Sequence, residues 1–410
     1  MKTNNQSKWR GAVGIFMGIG SLLLLLVLAV PSQSANQSFL YLPFVAKPVL
    51  PPPTPTPAPV PQFFMNIALP NAQCPSQIAA HPVTGYVYVA NNGNGTTSIL
   101  NQTDYIVTAE TGGWTSHVAV DPDSTRAFIS SMHGDPGGDG YVSVFDHATF
   151  ITKMPGYLEP FVLAYHPTKK YVYASDPHLS VVSVYDAQTF ELIEHVQMEA
   201  GWVKGVAVDL ATGLVYVSNW EYGRIYVLDG TEIVNIIHAG WGPEHLAIDH
   251  IRGYVYVGHT APNEDHPQNI SVIKDGVVVA SFYTGSYVGG LDVDLNTGLV
   301  YVSNTSEDRV TVINGTQHVT EIPVGAGPMG IAVNQQTGYV FVANSRSDTV
   351  SVIKDAQVVA TYETGKQPFR IAIDEVRNTT YIANRNSIRL CDDLGQCQTI
   401  CDPASLTVLR

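Results

Sequence analysis

The 410-residue chain holds 35 Asp and Glu against 21 Lys and Arg, and charged residues make up only 14% of it. Its net charge is −14, or −17 once residues 1–34, with three basic and no acidic side chains, are set aside. Such a surface repels phosphate backbones, which excludes nucleic acid as the expected partner and leaves a protein, a glycan or a small molecule.

The N-terminus has the layout of a secretory signal. Lys2, Lys8 and Arg10 form a basic head, Gly11 to Val30 is an uncharged, mostly apolar run, and Ser32 and Ser34 offer small residues for cleavage. Residues 1–34 therefore read as a signal peptide. The same run is long enough to stay as an uncleaved anchor, the one route to a membrane that the sequence offers. Either way the chain is expected to be secreted or displayed at the cell surface. Residues 35–62 read as a linker, because "KPVLPPPTPTPAPVPQ" (Lys47 to Gln62) is too proline-rich for helix or sheet and favours an extended polyproline stalk.

From residue 63 to 410 the chain repeats itself. An apolar residue opens an "IAV"-like run at Ile78, Val118, Leu163, Val206, Leu246, Leu291, Ile331 and Ile371. Ten residues after each stands an aromatic: Tyr88, Phe128, Tyr173, Tyr216, Tyr256, Tyr301, Phe341 and Tyr381. Each unit predicts four strands, named a to d in chain order. They are the "IAV" run, the "YVYVAN" run, the "VSVI" run and a looser run such as "AQVVATYET". Turn sequences such as "DLATG" and "DLNTG" part a from b. Four short strands per forty residues mark a β-propeller blade, all-β, with blades stacked around an axis to cover their faces.

The phrasing "TGYVYVAN…VSVI" resembles the YVTN-repeat, YncE-like β-propeller family, over about Phe63 to Cys401. The resemblance implies the fold and says little about the ligand, since members differ in what they bind and are often seven-bladed. Eight units predict eight blades; the alternative is seven with one detached terminal unit. "FFMNIAL", Phe63 to Leu69, is expected to supply the d strand of the last blade and to close the ring. A monomer is expected.

The connections d–a and b–c share one face of a propeller, and there the repeat is least regular. From the polar end of strand b to the middle of strand c the usual count is seven, as in Asn91 to Ser98, but Ser131 to Ser143 and His259 to Ser271 span twelve. These two loops bring His133, Asp135, Asp139, His259, Glu264, Asp265 and His266, which are donors for a divalent metal or simply residues of long solvated turns. The d–a connections add Trp114, Trp202, Trp241 and Tyr287, with His117, Lys204, Glu244, His245 and Arg370 just inside. Together they describe an aromatic pocket at the channel mouth, or aromatics packed on neighbouring blades.

Two regular rings read as structural. His81, Asp121, His166, Asp209, Asp249, Asp294, Asn334 and Asp374 stand where a side chain accepts turn N–H groups, and Asn91, Asn219, Asn304, Asn344 and Asn384 cap the b–c loops. Asp292 is out of pattern, because seven blades have Ala there. It is either a tuned acid or base at the channel or a satisfied carboxylate joining two blades.

Cys74, Cys391, Cys397 and Cys401 in an exported chain read as disulfides. With Cys391 at the end of the last c strand, Cys391–Cys397 and Cys74–Cys401 is the expected pairing; Cys397–Cys401 with Cys74–Cys391 is the alternative. No nucleophile elbow, HExxH, P-loop or dinucleotide fingerprint stands where the fold allows one. The expected function is therefore a binding module that uses the b–c/d–a face. The alternative, by analogy of fold alone, is a metal-assisted lactonase or lyase.

Overall fold

A computed structural model describes residues 58–133, 138–260, 268–285, 287–391, 397–401 and 404–410, without the side chains of 155–158 and 388–403. The described residues form eight four-stranded antiparallel sheets, the blades of a β-propeller, and a separate two-stranded hairpin. The innermost a strands are Pro75–Ala80, Trp114–Val120, Leu163–His166, Val203–Val208, Pro243–Asp249, Val288–Asp294, Pro328–Val333 and Pro368–Asp374.

Burial follows position in the blade. Strand b is covered on both faces by neighbouring blades, so Tyr86–Asn91 and Tyr254–His259 are buried almost throughout. Strand d is outermost, and Val277–Phe282 alternates between exposed and half-buried. The repeated aromatic is fully or largely buried in seven blades; Tyr216 is half-buried. In some blades its hydroxyl ties one blade to another. Tyr88 Oη donates to the His147 carbonyl of the next blade at 2.9 Å, and Tyr173 Oη to the Gly230 carbonyl at 3.1 Å.

The ring closes through the N-terminal strand. Phe63–Ala68 pairs antiparallel with Ser405–Leu409, with Met65 opposite Val408 and Ile67 opposite Leu406. One apolar cluster then joins Ile67, Tyr381 and Leu406 of the last blade to Ile78 and Val87 of the first. The end of the proline-rich stretch lies on the ring: Tyr339 Oη donates to the Ala58 carbonyl at 2.8 Å, and Val60 packs beside Phe341.

The last blade corrects one expectation. Cys391 does not end its c strand. Ser387–Cys391 and Cys397–Cys401 pair only with each other, and strand c is Ser405–Leu409. The reason is the cap. Asn384 Nδ2 donates to Ser405 Oγ and Thr407 Oγ1 at 3.1 and 3.0 Å, as Asn91 Nδ2 does to Thr96 and Ser98 at 3.1 and 3.0 Å. Cys391 and Cys397 are still cross-strand Cα partners within the inserted hairpin. Cys74 is disulfide-bonded. The pairing itself falls on side chains outside the described set.

Both structural rings behave as turn chemistry predicts. Asp209 Oδ1 accepts from Ala211 N at 2.9 Å, and Asn334 Oδ1 accepts from Gln336 N at 3.0 Å. On the opposite face, the first b–c residue donates to a d–a carbonyl: Trp220 N to Trp202 O at 2.8 Å, Thr260 N to Gly242 O at 3.0 Å, and Arg385 N to Gln367 O at 3.1 Å. These bonds hold both sets of loops over the inner strands.

Candidate ligand-binding site

At the centre of that face the first residues of all eight a strands, or those just before them, enclose a cavity of about 510 Å³. Glycines let the inner strands approach closely there. A Cβ on Gly205 would stand 2.2 Å from the Glu244 carbonyl oxygen, and one on Gly330 2.5 Å from that of Phe369. Six of the residues read from the sequence line this cavity: His117, Lys204, Glu244, His245, Tyr287 and Arg370.

Lys204 and Glu244 hold each other. Lys204 Nζ donates to Glu244 Oε2 at 2.8 Å, and Thr260 Oγ1 donates to the same oxygen at 2.8 Å. Trp220 Nε1 donates to Thr260 Oγ1 at 3.0 Å, so an indole closes the network. The Lys204 ammonium also lies over the Trp220 and Trp202 rings, at 5.1 and 5.5 Å from their centroids.

The histidines are neutral near pH 7. Burial, with the Arg370 charge adding to it, lowers both His117 and His245 to about 4. Gln77 Oε1 accepts from Ile78 N at 3.1 Å, which turns its amide nitrogen to donate to His117 Nε2 at 3.0 Å. The proton of His117 therefore sits on Nδ1, a buried atom with no partner among the described residues. Tyr287 keeps its proton, since burial and the Glu244 charge raise its pKa.

Arg370 and Arg385 face the cavity from the last blade. Arg370 Nη1 donates to the Gly289 carbonyl at 3.2 Å, and Arg385 Nε to the Pro75 carbonyl at 3.1 Å. Both guanidinium groups lie over the Phe369 ring, at 4.5 and 3.5 Å from its centroid. Gln77, Phe369 and Arg385 were not among the residues read from the sequence. Arg385 follows the Asn384 cap, the place that Asn92, Trp220 and Thr260 take in other blades, and only the ring geometry turns it inward.

The remaining candidates lie elsewhere. Trp202 and Trp241 are partly exposed and flank Trp220 at 5.7 and 6.1 Å between ring centroids, forming a shelf beside the cavity. Trp114 is exposed and meets the His133 ring edge-on at 5.3 Å; His133 Nδ1 and His178 Nε2 share Glu159 at 2.8 and 3.1 Å. His259 is structural. It is 1% exposed, with Nδ1 at 2.8 Å from the Trp241 carbonyl and Nε2 at 3.0 Å from Ser271 Oγ. Burial lowers it to about 4.

Asp292 joins two blades. Its oxygens accept from Val293 N and from Val333 N of the next blade, both at 2.8 Å. It lines a second cavity with the ends of the a strands, away from the loops that carry the site. Asp135, Glu264, Asp265 and His266 fall outside the described residues. Asp139 lies just before the strand Gly140–Asp146. Among the described residues no three His, Cys, Asp or Glu side chains are grouped to hold a metal ion. No family model matches the chain, and no curated protein matches it.

Proposed function

We propose that the protein is a binding module that takes one ligand group into the axial cavity, with the tryptophan shelf as a neighbouring contact surface. The observation that carries this reading is the convergence of all eight blades on one half-polar cavity, anchored by the Lys204–Glu244–Thr260–Trp220 network. Export on a proline-rich stalk and kinship with YVTN-repeat propellers belong to the same proposal. A metal-assisted hydrolase would need ligands converging on the axis from several blades. Glu244 is the one carboxylate lining this cavity among the described residues, and it is committed to Lys204 and Thr260.

Ligand-observed NMR with a chemically mixed fragment library tests the proposal. Fragments should bind the purified protein, and Val162→Trp, which fills the cavity from its wall, should abolish their signals. Binding that survives Val162→Trp would place the site elsewhere. A fragment consumed during the measurement would instead support an enzyme.

A further inference from the structure

The cavity has a charge surplus that its own side chains do not balance. On a chain rich in carboxylates, Arg224, Arg252, Arg309, Arg346 and Arg377 each pair with Asp or Glu. Among the described residues Arg370 and Arg385 have no carboxylate partner; each is anchored by one bond to a backbone carbonyl and by the shared Phe369 ring. Lys204 and Glu244 cancel each other, and the histidines are neutral, so the mouth keeps two positive charges on an acidic protein. Two guanidinium groups over one ring repel each other: burial and then Arg370 push Arg385 down to about 10. Each arginine keeps N–H groups that its single backbone bond leaves unused.

We infer that the ligand carries an oxyanion, a carboxylate or a phosphate, on an uncharged organic body, and that Arg370 and Arg385 receive the oxyanion. This rests on the binding reading above and names its ligand class. An oxyanion between two guanidinium groups, carboxylate or phosphate, forms charge-assisted bonds with both and relieves their mutual repulsion. His117 lines the same cavity, with its Nδ1–H enclosed and without a partner among the described residues. Phe161, Leu246, Leu291 and Ile331 give the rest of the lining an apolar character, which suits an organic body better than a bare ion.

Calorimetry at pH 7 and low salt tests this with succinate, glucuronate and inorganic phosphate against the neutral succinamide and glucose. At least one anion should bind, ten-fold or more tighter than its neutral counterpart, and added salt should weaken it. Glucuronate binding best would point to an acidic sugar, succinate to a small free acid, phosphate to a phosphorylated ligand. Arg370→Gln and Arg385→Gln should each weaken binding at least ten-fold. Arg346→Gln, which removes a charge from the same face away from the cavity, should not. Neutral compounds binding as tightly as the anions, no anion binding at all, or full binding by both cavity variants would overturn the inference. Should the variants fail to fold, the comparison of anion with neutral compound on the unmodified protein still decides. Neutral or cationic fragments that bind the cavity and are lost in Val162→Trp would reject the anion while keeping the site.

Discussion

His259 stands where five other blades place Asn, and its ring fills both hydrogen-bonding roles of that cap from a fully enclosed position. Its departure from the repeat looked functional in the sequence because a histidine in an inserted loop can ligate a metal or transfer a proton. Only the distances show that both nitrogens are spent on the fold. Burial gives such residues a pH signature. His117, His245 and His259 lie near 4 when folded, against about 6.5 unfolded. The unfolded chain therefore binds more protons, and the stability that depends on these neutral rings is complete above about pH 6.5 and is lost as the pH falls towards 4. Asp292 has the opposite sign. Burial raises its carboxyl to about 6, so the folded chain takes up that proton first and stability falls as the pH rises from about 4 to 6. Urea unfolding at pH 4.5, 5.5 and 6.5 should show stability rising more steeply with pH in Asp292→Asn. In His259→Asn the rise should be shallower, by up to about 1.4 kcal/mol per pH unit. Parallel profiles for all three proteins would remove both assignments.

Strand by strand, the blades were legible because each position in a propeller imposes its own pattern. Strand b, covered on both sides, is mostly apolar up to its polar end; strand d, covered on one, alternates. The Asn cap with its hydroxyl partners marks where b gives way to c. The last blade was misread because "SIRLC" follows Asn384 at the distance of a c strand. The hydroxyl pair that the cap requires comes later, in "SLTVL". The cavity was legible to the extent that it is built from a strands: Lys204 and Glu244 share one place in the repeat, and His117, His245 and Arg370 share the next. Arg385 escaped because it belongs to a b–c connection, where nothing in the sequence separates an inward side chain from a solvated one. The hairpin also frames the cysteines. We expect Cys391–Cys397 across it, where the two residues are Cα partners, and Cys74–Cys401 joining the start and the end of the ring. Non-reducing peptide mapping should recover a peptide linking Cys74 to Cys401. A Cys74–Cys391 or Cys74–Cys397 peptide would reject that pairing. The long loop so closed corresponds to about 5 kcal/mol on chain-entropy grounds, an upper figure where strain or residual structure intervenes.

For the molecule as a whole, the two ends of the chain share one blade. Phe63–Ala68 covers the edge of Ser405–Leu409, and reciprocal backbone bonds between Gln62 and Arg410 of 2.7 and 3.0 Å extend the pairing. A chain beginning at Leu69 exposes that edge and should aggregate or lose cooperative unfolding; a monomer of unchanged stability would show that closure does not depend on the strand. Closure matters for the site, because the blade it completes carries Phe369, Arg370 and Arg385. An eight-bladed ring with one anion-binding cavity at its axis predicts where an organic carboxylate lodges, and a 4-bromobenzoate soak of crystals of the protein tests this most directly. An anomalous bromine peak in the axial cavity, with the carboxylate within hydrogen-bonding distance of both the Arg370 and Arg385 guanidinium groups, is the predicted result. Bromine bound elsewhere on the surface and absent from the cavity would contradict it.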